Sequence, residues 1–175
     1  MLRDTRVIGD AGVFLVGAEL ALLGWPAALT STGTARTDLL AQVGEGHWPA
    51  AIQVKTKSAR SRDFQLKNIV EPAAPLANEW VILVALSDDR QHRFYVVPRD
   101  VAVATVKALN LAYENPSRVM LREEEFMAYA GDWDLLRRPA WEAPWRVREW
   151  VDAYRHEMTW PEGHAGIPES REVTP

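Results

Sequence analysis

The stretch TDLLAQVGEGHWPAAIQVKTK, residues 37–57, contains two apolar runs separated by a segment with two glycines and a proline. Such turn residues between apolar runs predict two β-strands joined by a turn. Side chains alternate between the two faces of a strand, so Gln53 and Lys55 share one face of the second strand. Asp38 begins the first strand. The stretch therefore predicts an acid, an amide and a lysine close together on neighbouring strands.

Strands and helices are also predicted on both sides of this stretch. The unbroken apolar run Trp80–Leu86 predicts a strand buried on both faces, and a turn leads from it into a fourth strand, Arg93–Pro98. Helices are predicted over 99–111, 123–129, 133–136 and, with clear amphipathic spacing, 144–156. The order helix, strands, helices indicates an α/β domain.

The N-terminal segment predicts a helix that Gly24 ends. Its apolar residues recur at spacings of three and four, which predicts one stripe facing the core. The stripe consists of Val7, Ala11, Phe14, Leu15, Ala18 and Leu22. Glu19 interrupts the apolar run, which is shorter than the ~20 residues that span a bilayer. We therefore expect a cytoplasmic protein without a membrane segment.

Composition limits the classes of chemistry. The chain has 175 residues, of which 47% are hydrophobic and 25% charged, as in one ordinary globular domain. It has no cysteine, which excludes disulfides, thiolate metal sites and cysteine nucleophiles. Four histidines leave mainly oxygen ligands for a metal. Neither a phosphate-binding glycine loop nor a G-x-S-x-G motif occurs.

The charge is unevenly distributed along the chain. The net charge is −4, yet residues 48–70 contain five basic side chains against one acidic side chain. This segment is either a solvated strand and loop or a basic face for a polyanion. The candidate nucleic-acid contacts are Lys57, Arg60, Arg62 and Lys67.

The predicted cluster of Asp38, Gln53 and Lys55 has a chemical use. An acid and an amide oxygen can hold a divalent cation, and an adjacent lysine can orient water or offset phosphate charge. The alternative interpretation is an exposed polar face of the sheet.

The ordered motifs GDAGVFLVGAELALLGW, TDLLAQV, IQVKTK, EWVILVAL and RFYVVP resemble the PD-(D/E)XK nuclease superfamily, in particular small bacterial members with Q-V-K-T as the second motif. The resemblance runs from about Gly9 to Pro98. It implies a restriction-endonuclease-like mixed β-sheet flanked by helices, here with extra C-terminal helices. It further implies that Asp38 and Gln53 bind Mg²⁺ or Mn²⁺ and that Lys55 assists the attacking water.

Two departures from that family weaken the metal site. Val13 stands where these members carry a metal-binding glutamate on the first helix, and Gln53 is neutral. Glu19 lies six residues beyond Val13, about 240° around the helix, so a structural role is favoured over its candidacy as the catalytic acid. We therefore expect low metal occupancy. Two functions stay open: a metal-dependent DNA endonuclease, and an inactive nuclease-fold module that binds nucleic acid or a protein.

The sequence also predicts how the chain is divided. Residues 1–140 are expected to form the nuclease-like domain and residues 161–175 a flexible tail. Residues 141–160 are expected to form a tryptophan-rich helix that packs on the domain or mediates a homodimer.

Overall fold

The computed structural model describes residues 4–31, 36–44, 49–66, 69, 78–114, 120–159 and the backbone of 172–174. The helices are α1 (Thr5–Leu22), α2 (Arg99–Ala112) and α3 (Glu149–Ala153). The strands are β1 (Ala27–Leu29), β2 (Leu39–Ala41), β3 (Ala50–Lys57), β4 (Asp63–Gln65), β5 (Glu79–Ala85), β6 (Arg93–Pro98), β7 (Met120–Arg122), β8 (Arg146–Arg148) and β9 (Glu172–Thr174). Short 3₁₀ helices cover Glu123–Tyr129, Trp133–Arg137 and Ala140–Glu142.

A five-stranded mixed sheet in the order β1-β2-β3-β5-β6 forms the centre of the fold. The strands β3 and β5 run parallel, with Gln53 opposite Val81, whereas the other neighbours are antiparallel. Every residue of β5 is buried, as its unbroken apolar run predicts. The predicted mixed sheet flanked by helices is confirmed, and β4–β7 and β8–β9 form two additional two-stranded sheets.

The helix α1 ends where the sequence predicts, and its beginning is capped by a side chain. The Asp4 side chain accepts a hydrogen bond from the Arg6 amide at 2.8 Å and caps the first turn. At the other end, Gly24 has a φ of +77°, and the Trp25 amide donates to the Leu20 carbonyl at 2.9 Å. This is a glycine-based helix stop, for which a left-handed residue is required.

The predicted orientation of α1 is wrong. The residues buried against the sheet are Gly12, Val16 and Leu20. The apolar stripe expected to face the core is mostly exposed instead, with Phe14 at 65% and Leu22 at 83% exposure. A close approach of the helix to β3 explains the difference, because a Cβ at position 12 would collide with the Thr56 hydroxyl. Gly12 therefore determines which side of α1 faces the sheet.

The C-terminal region also differs from its prediction. In place of one helix over 144–156, the chain forms β8 followed by the five-residue α3. The strand β8 pairs in parallel with β9, so a contact with residues 172–174 overrides the local helical periodicity. Those same residues form a strand within the segment expected to be a flexible tail. The rest of that tail lies outside the described residues.

The tryptophans of the C-terminal region pack mainly on the domain itself. Trp145 is buried, and Trp150 packs against the core and donates its indole N–H to Glu125. Trp133 packs against Phe94, whereas Trp141 is half exposed. Trp160 lies outside the described residues. No helix in the described part of the chain is long and apolar enough to cross a membrane.

Candidate active site

Asp38, at the beginning of β2, is fixed to β3 by both its backbone and its side chain. Its amide donates to the Ile52 carbonyl at 2.8 Å, and its Oδ2 accepts from the Val54 amide at 2.7 Å. The carboxylate thus satisfies a strand N–H at the point where the ladder between β2 and β3 ends. Its other oxygen, Oδ1, has no hydrogen bond among the described residues. Asp38 is therefore oriented by the sheet with one oxygen left for a ligand.

Lys55 lies close enough to Asp38 for their charges to interact. Burial of the ammonium lowers its pKa, the Asp38 carboxylate partly opposes that effect, and the Arg99 guanidinium lowers the pKa further. The structure therefore brings the predicted acid and lysine together, and it adds a second cation to them.

The Gln53 side chain is buried and participates in a charged network that the sequence did not predict. Its Oε1 accepts from the Arg99 Nη1 at 3.2 Å, and Arg99 also donates to the Ile69 carbonyl. The Arg99 Nε lies 3.5 Å from the Glu79 carboxylate, which Arg36 contacts at 2.8 Å. Glu79 and Arg99 are 4% and 2% exposed, so they form a buried ion pair. We call Arg36, Glu79 and Arg99 the arginine–glutamate network.

In the sequence, this network is indicated only by two charged residues that stand next to apolar strands. Glu79 begins the buried strand β5, and Arg99 directly follows β6. Charged residues are rarely buried unless they are paired. The sequence does not show which residues pair with Glu79 and Arg99, because this depends on the pairing of β3 with β5, which brings Ala51 opposite Glu79.

Glu19, the alternative acid, lies on a helix that packs against the other face of the sheet. Gly12 of α1 meets Thr56, whose side chain alternates with those of Lys55 and Lys57 along β3. The Glu19 side chain is partly exposed and forms no hydrogen bond or ion pair within the described ranges. Val13 packs against the hydrophobic core. The structure therefore does not bring α1 carboxylates to the Asp38–Lys55 pair.

The residues predicted to contact nucleic acid differ in how exposed they are to solvent. The Lys57 ammonium lies 2.7 Å from Glu123 and 5.5 Å from the centroid of the Phe64 ring, and its side chain is only 9% exposed. Lys57 thus holds the domain together rather than projecting into solvent. Arg60 and Arg62 are exposed on the connection between β3 and β4. Lys67 lies outside the described residues.

Glu123 is the centre of this second cluster. Its carboxylate accepts from Arg93 at 2.6 Å and from the Tyr95 hydroxyl, in addition to the Lys57 contact. Burial alone would raise the pKa of Glu123, but the hydrogen bonds from Arg93, Lys57 and Tyr95 together lower it to about 2. The cluster joins β3 and β6 to the 3₁₀ helix Glu123–Tyr129.

The site contains two oxygen atoms of the kind that bind a hard divalent cation. Asp38 Oδ1 and the second lone pair of Gln53 Oε1 are oxygen donors, which Mg²⁺ and Mn²⁺ prefer. Within the residues that the structure describes, no three His, Cys, Asp or Glu side chains cluster as a metal site. Mg²⁺ commonly uses one or two protein ligands together with water and substrate phosphate. With Lys55 and Arg99 adjacent, the cation alone should bind weakly.

No protein-family model matches the chain, and no curated protein matches it. Among solved structures, the chain is similar to a bacterial homing endonuclease, I-Ssp6803I. The TM-score is 0.51 at 20% sequence identity, and the match covers 81% of this chain and 97% of the other. At this identity the likeness concerns the fold alone, so the chain shares the fold of that structure.

Proposed function

We propose that the protein is a metal-dependent endonuclease that hydrolyses phosphodiester bonds in DNA. The observation that carries the proposal is the Asp38 carboxylate, held at 2.7 Å by the Val54 amide and adjacent to Lys55. The likeness of the fold to that of a homing endonuclease supports the proposal. A fold alone does not establish a function, so the proposal depends on the pair.

Each residue of the site has a separate role in this proposal. Asp38 and Gln53 hold Mg²⁺ or Mn²⁺, which when bound polarises the phosphate and acidifies a water molecule. Lys55 stabilises negative charge on the phosphate and orients the attacking water. The arginine–glutamate network orients Gln53 through the hydrogen bond from Arg99. Because Asp38 is already fixed by the Val54 amide, little reorganisation is needed when substrate binds.

The exposed basic connection between β3 and β4 supplies the DNA contact. Arg60 and Arg62 follow directly on the strand that carries Gln53 and Lys55. Arginine contacts to phosphates position a duplex without reading its sequence. Lys57 contributes indirectly, since its ammonium also donates to the Ser61 carbonyl at 3.2 Å and so holds this connection.

Calorimetric titration of Mn²⁺ into protein that carries duplex DNA tests the metal assignment. Lys55→Ala serves as the background, because it should retain the metal and lose turnover. In this Lys55→Ala background, the additional substitution Asp38→Ala should abolish the heat of Mn²⁺ binding to the protein. Asp134→Ala, at a carboxylate 82% exposed on the surface, is the matched control and should leave the heat unchanged. Equal Mn²⁺ binding with and without Asp38 would refute the site. DNA binding without any metal uptake would indicate the inactive nuclease-fold module.

A further inference from the structure

The side of α1 that faces away from the sheet carries several exposed apolar residues. The residues Val7, Ala11, Phe14, Leu15, Ala18 and Leu22, which we call the outer stripe, lie on the side of α1 away from the buried Gly12, Val16 and Leu20, although Leu15, at one edge, also packs against the core. Val7, Phe14 and Leu22 are each more than two-fifths exposed. A contiguous exposed apolar surface of this kind marks an interaction site.

The outer stripe is symmetric about its own midpoint, between Phe14 and Leu15. Positions equidistant from this point carry residues of similar size, because Val7 matches Leu22 and Ala11 matches Ala18. In two antiparallel helices related by a twofold axis, equidistant positions lie opposite each other. Small residues would then meet at the alanines, where the helices approach closely, and large residues would meet at the centre and the ends.

A cleft of about 540 Å³ adjoins one edge of the outer stripe and supplies a charge match. It is lined by Ile8, Ala11 and Leu15 of α1 and by turn residues that include the cations Arg60 and Arg90 and the acid Asp88. At 100° per residue, Glu19 lies on the same edge of α1 as Ile8 and Leu15. In an antiparallel dimer with a twofold axis, this edge of α1 lies on the same side of the interface in both copies. The Glu19 of one copy then lies at the same position along the helix axis as the cleft of the other copy.

We propose that the protein forms an antiparallel homodimer through the outer stripe of α1, with Glu19 of each copy facing Arg90 in the cleft of the other. The Glu19 carboxylate has no hydrogen bond or ion pair in the described part of the chain, so it is available for this contact. The 18 residues of α1 span ~27 Å. The turns around the cleft extend the interface towards the ~800 Å² per partner of a stable complex.

Engineered disulfides test the geometry, since the chain has no native cysteine. The double variant Val7→Cys/Leu22→Cys should form a covalent dimer on oxidation, because these positions lie opposite each other across the twofold axis. Val7→Cys alone should not cross-link, since its two copies would be ~22 Å apart. Cross-linking by Val7→Cys alone would indicate parallel helices, and no cross-linking by the double variant would exclude this pairing. Either result overturns the proposal.

Sedimentation equilibrium tests the same proposal without a cross-link. The wild type should be a dimer, and Phe14→Asp should weaken association at least ~30-fold, as expected for a central interface aromatic, without loss of folding. Trp141→Asp, at a tryptophan 51% exposed in the C-terminal region, is the matched control and should remain dimeric. Glu19→Arg should weaken the dimer, and added Arg90→Glu should restore it. A monomeric wild type, or a dimer that only Trp141→Asp dissociates, contradicts the proposal.

Discussion

Lys55 holds its charge in surroundings that disfavour it. Burial and the nearby Arg99 both lower its pKa, and only Asp38 acts in the opposite direction. A lysine whose sole purpose was stability would gain from a more solvated position or a closer acid. Perturbed titratable groups of this kind are concentrated in functional sites. The environment of Lys55 is thus consistent with a role in binding or chemistry.

Asp38, Gln53 and Lys55 could be proposed as candidates from the sequence because they lie within 18 residues, directly before β2 and on its neighbour β3. Their buried partners could not. Arg36 and Glu79 are 43 residues apart, and Arg99 reaches Gln53 across 46 residues. Such pairs depend on which strands become neighbours in the sheet, and a local pattern contains no information about that.

Val13→Glu is predicted to destabilise the protein rather than to complete the metal site. Val13 packs against the core, on the side of the sheet away from Lys55, so the new carboxylate would be partly buried without a partner. We expect a loss of ~2–4 kcal/mol and a fall in Tm of roughly 5–15 °C. Leu111→Glu, at a half-exposed leucine of α2, is the control. An unchanged Tm together with tighter Mn²⁺ binding would show that Val13 faces Asp38.

Among the elements, α1 shows why amphipathic spacing identified a helix but misplaced its buried side. Periodicity detects that apolar residues share a face, and it assumes that this face is buried. Here the close approach to Thr56 selects Gly12, which contributes nothing to an apolar count. A similar limit applies to the C-terminal region, where pairing between β8 and β9 overrides a helical pattern. The strands β3, β5 and β6 were predicted correctly because their patterns are unambiguous.

Gly12→Ala is predicted to destabilise the protein by ~1–3 kcal/mol, although alanine favours helix more than glycine does. The added Cβ would collide with Thr56, whose hydroxyl is buried. Gly17→Ala is the matched control, because nothing lies within 4 Å of a Cβ at that position of the same helix. It should be neutral or stabilising by up to ~1 kcal/mol. Thermal unfolding of both variants measures these changes in stability. Equal changes in Tm would disprove the close approach of α1 to β3.

The Glu123 cluster should make the junction of β3, β6 and the 3₁₀ helix Glu123–Tyr129 sensitive to acid. Its pKa in the folded protein is about 2, below the ordinary value of 4.5. The stabilisation is therefore complete above pH 4.5 and is lost as the pH falls from 4.5 towards 2. Glu123→Gln should lower the free energy of unfolding at pH 7 by only ~1–2 kcal/mol, because the carboxylate is partly solvated. The variant should also lose less stability than the wild type as the pH falls from 4.5 towards 2. Identical pH profiles for the variant and the wild type would contradict this.

At the scale of the whole molecule, an acidic protein carries a local basic surface. The net charge is −4, so we propose that attraction to DNA comes from a local basic surface, the exposed connection between β3 and β4. Arg60→Ala and Arg62→Ala are each predicted to weaken duplex binding about equally for all sequences. Each should also reduce the slope of log affinity against log salt by ~0.9. Arg137→Ala, at another exposed arginine, should leave the slope unchanged. A salt slope that none of these variants alters would exclude this face from DNA binding.

The most direct test of the account is the rate at which purified protein nicks supercoiled plasmid DNA in Mg²⁺ or Mn²⁺. We predict slow, metal-dependent cleavage by the wild type that Lys55→Ala reduces by ~10²-fold or more, while the melting temperature shows that the variant is folded. Purifying both proteins identically excludes a contaminating nuclease. Cleavage at the wild-type rate by Lys55→Ala, or no cleavage by the wild type with either metal, would contradict the assignment of Asp38, Gln53 and Lys55 as a nuclease site.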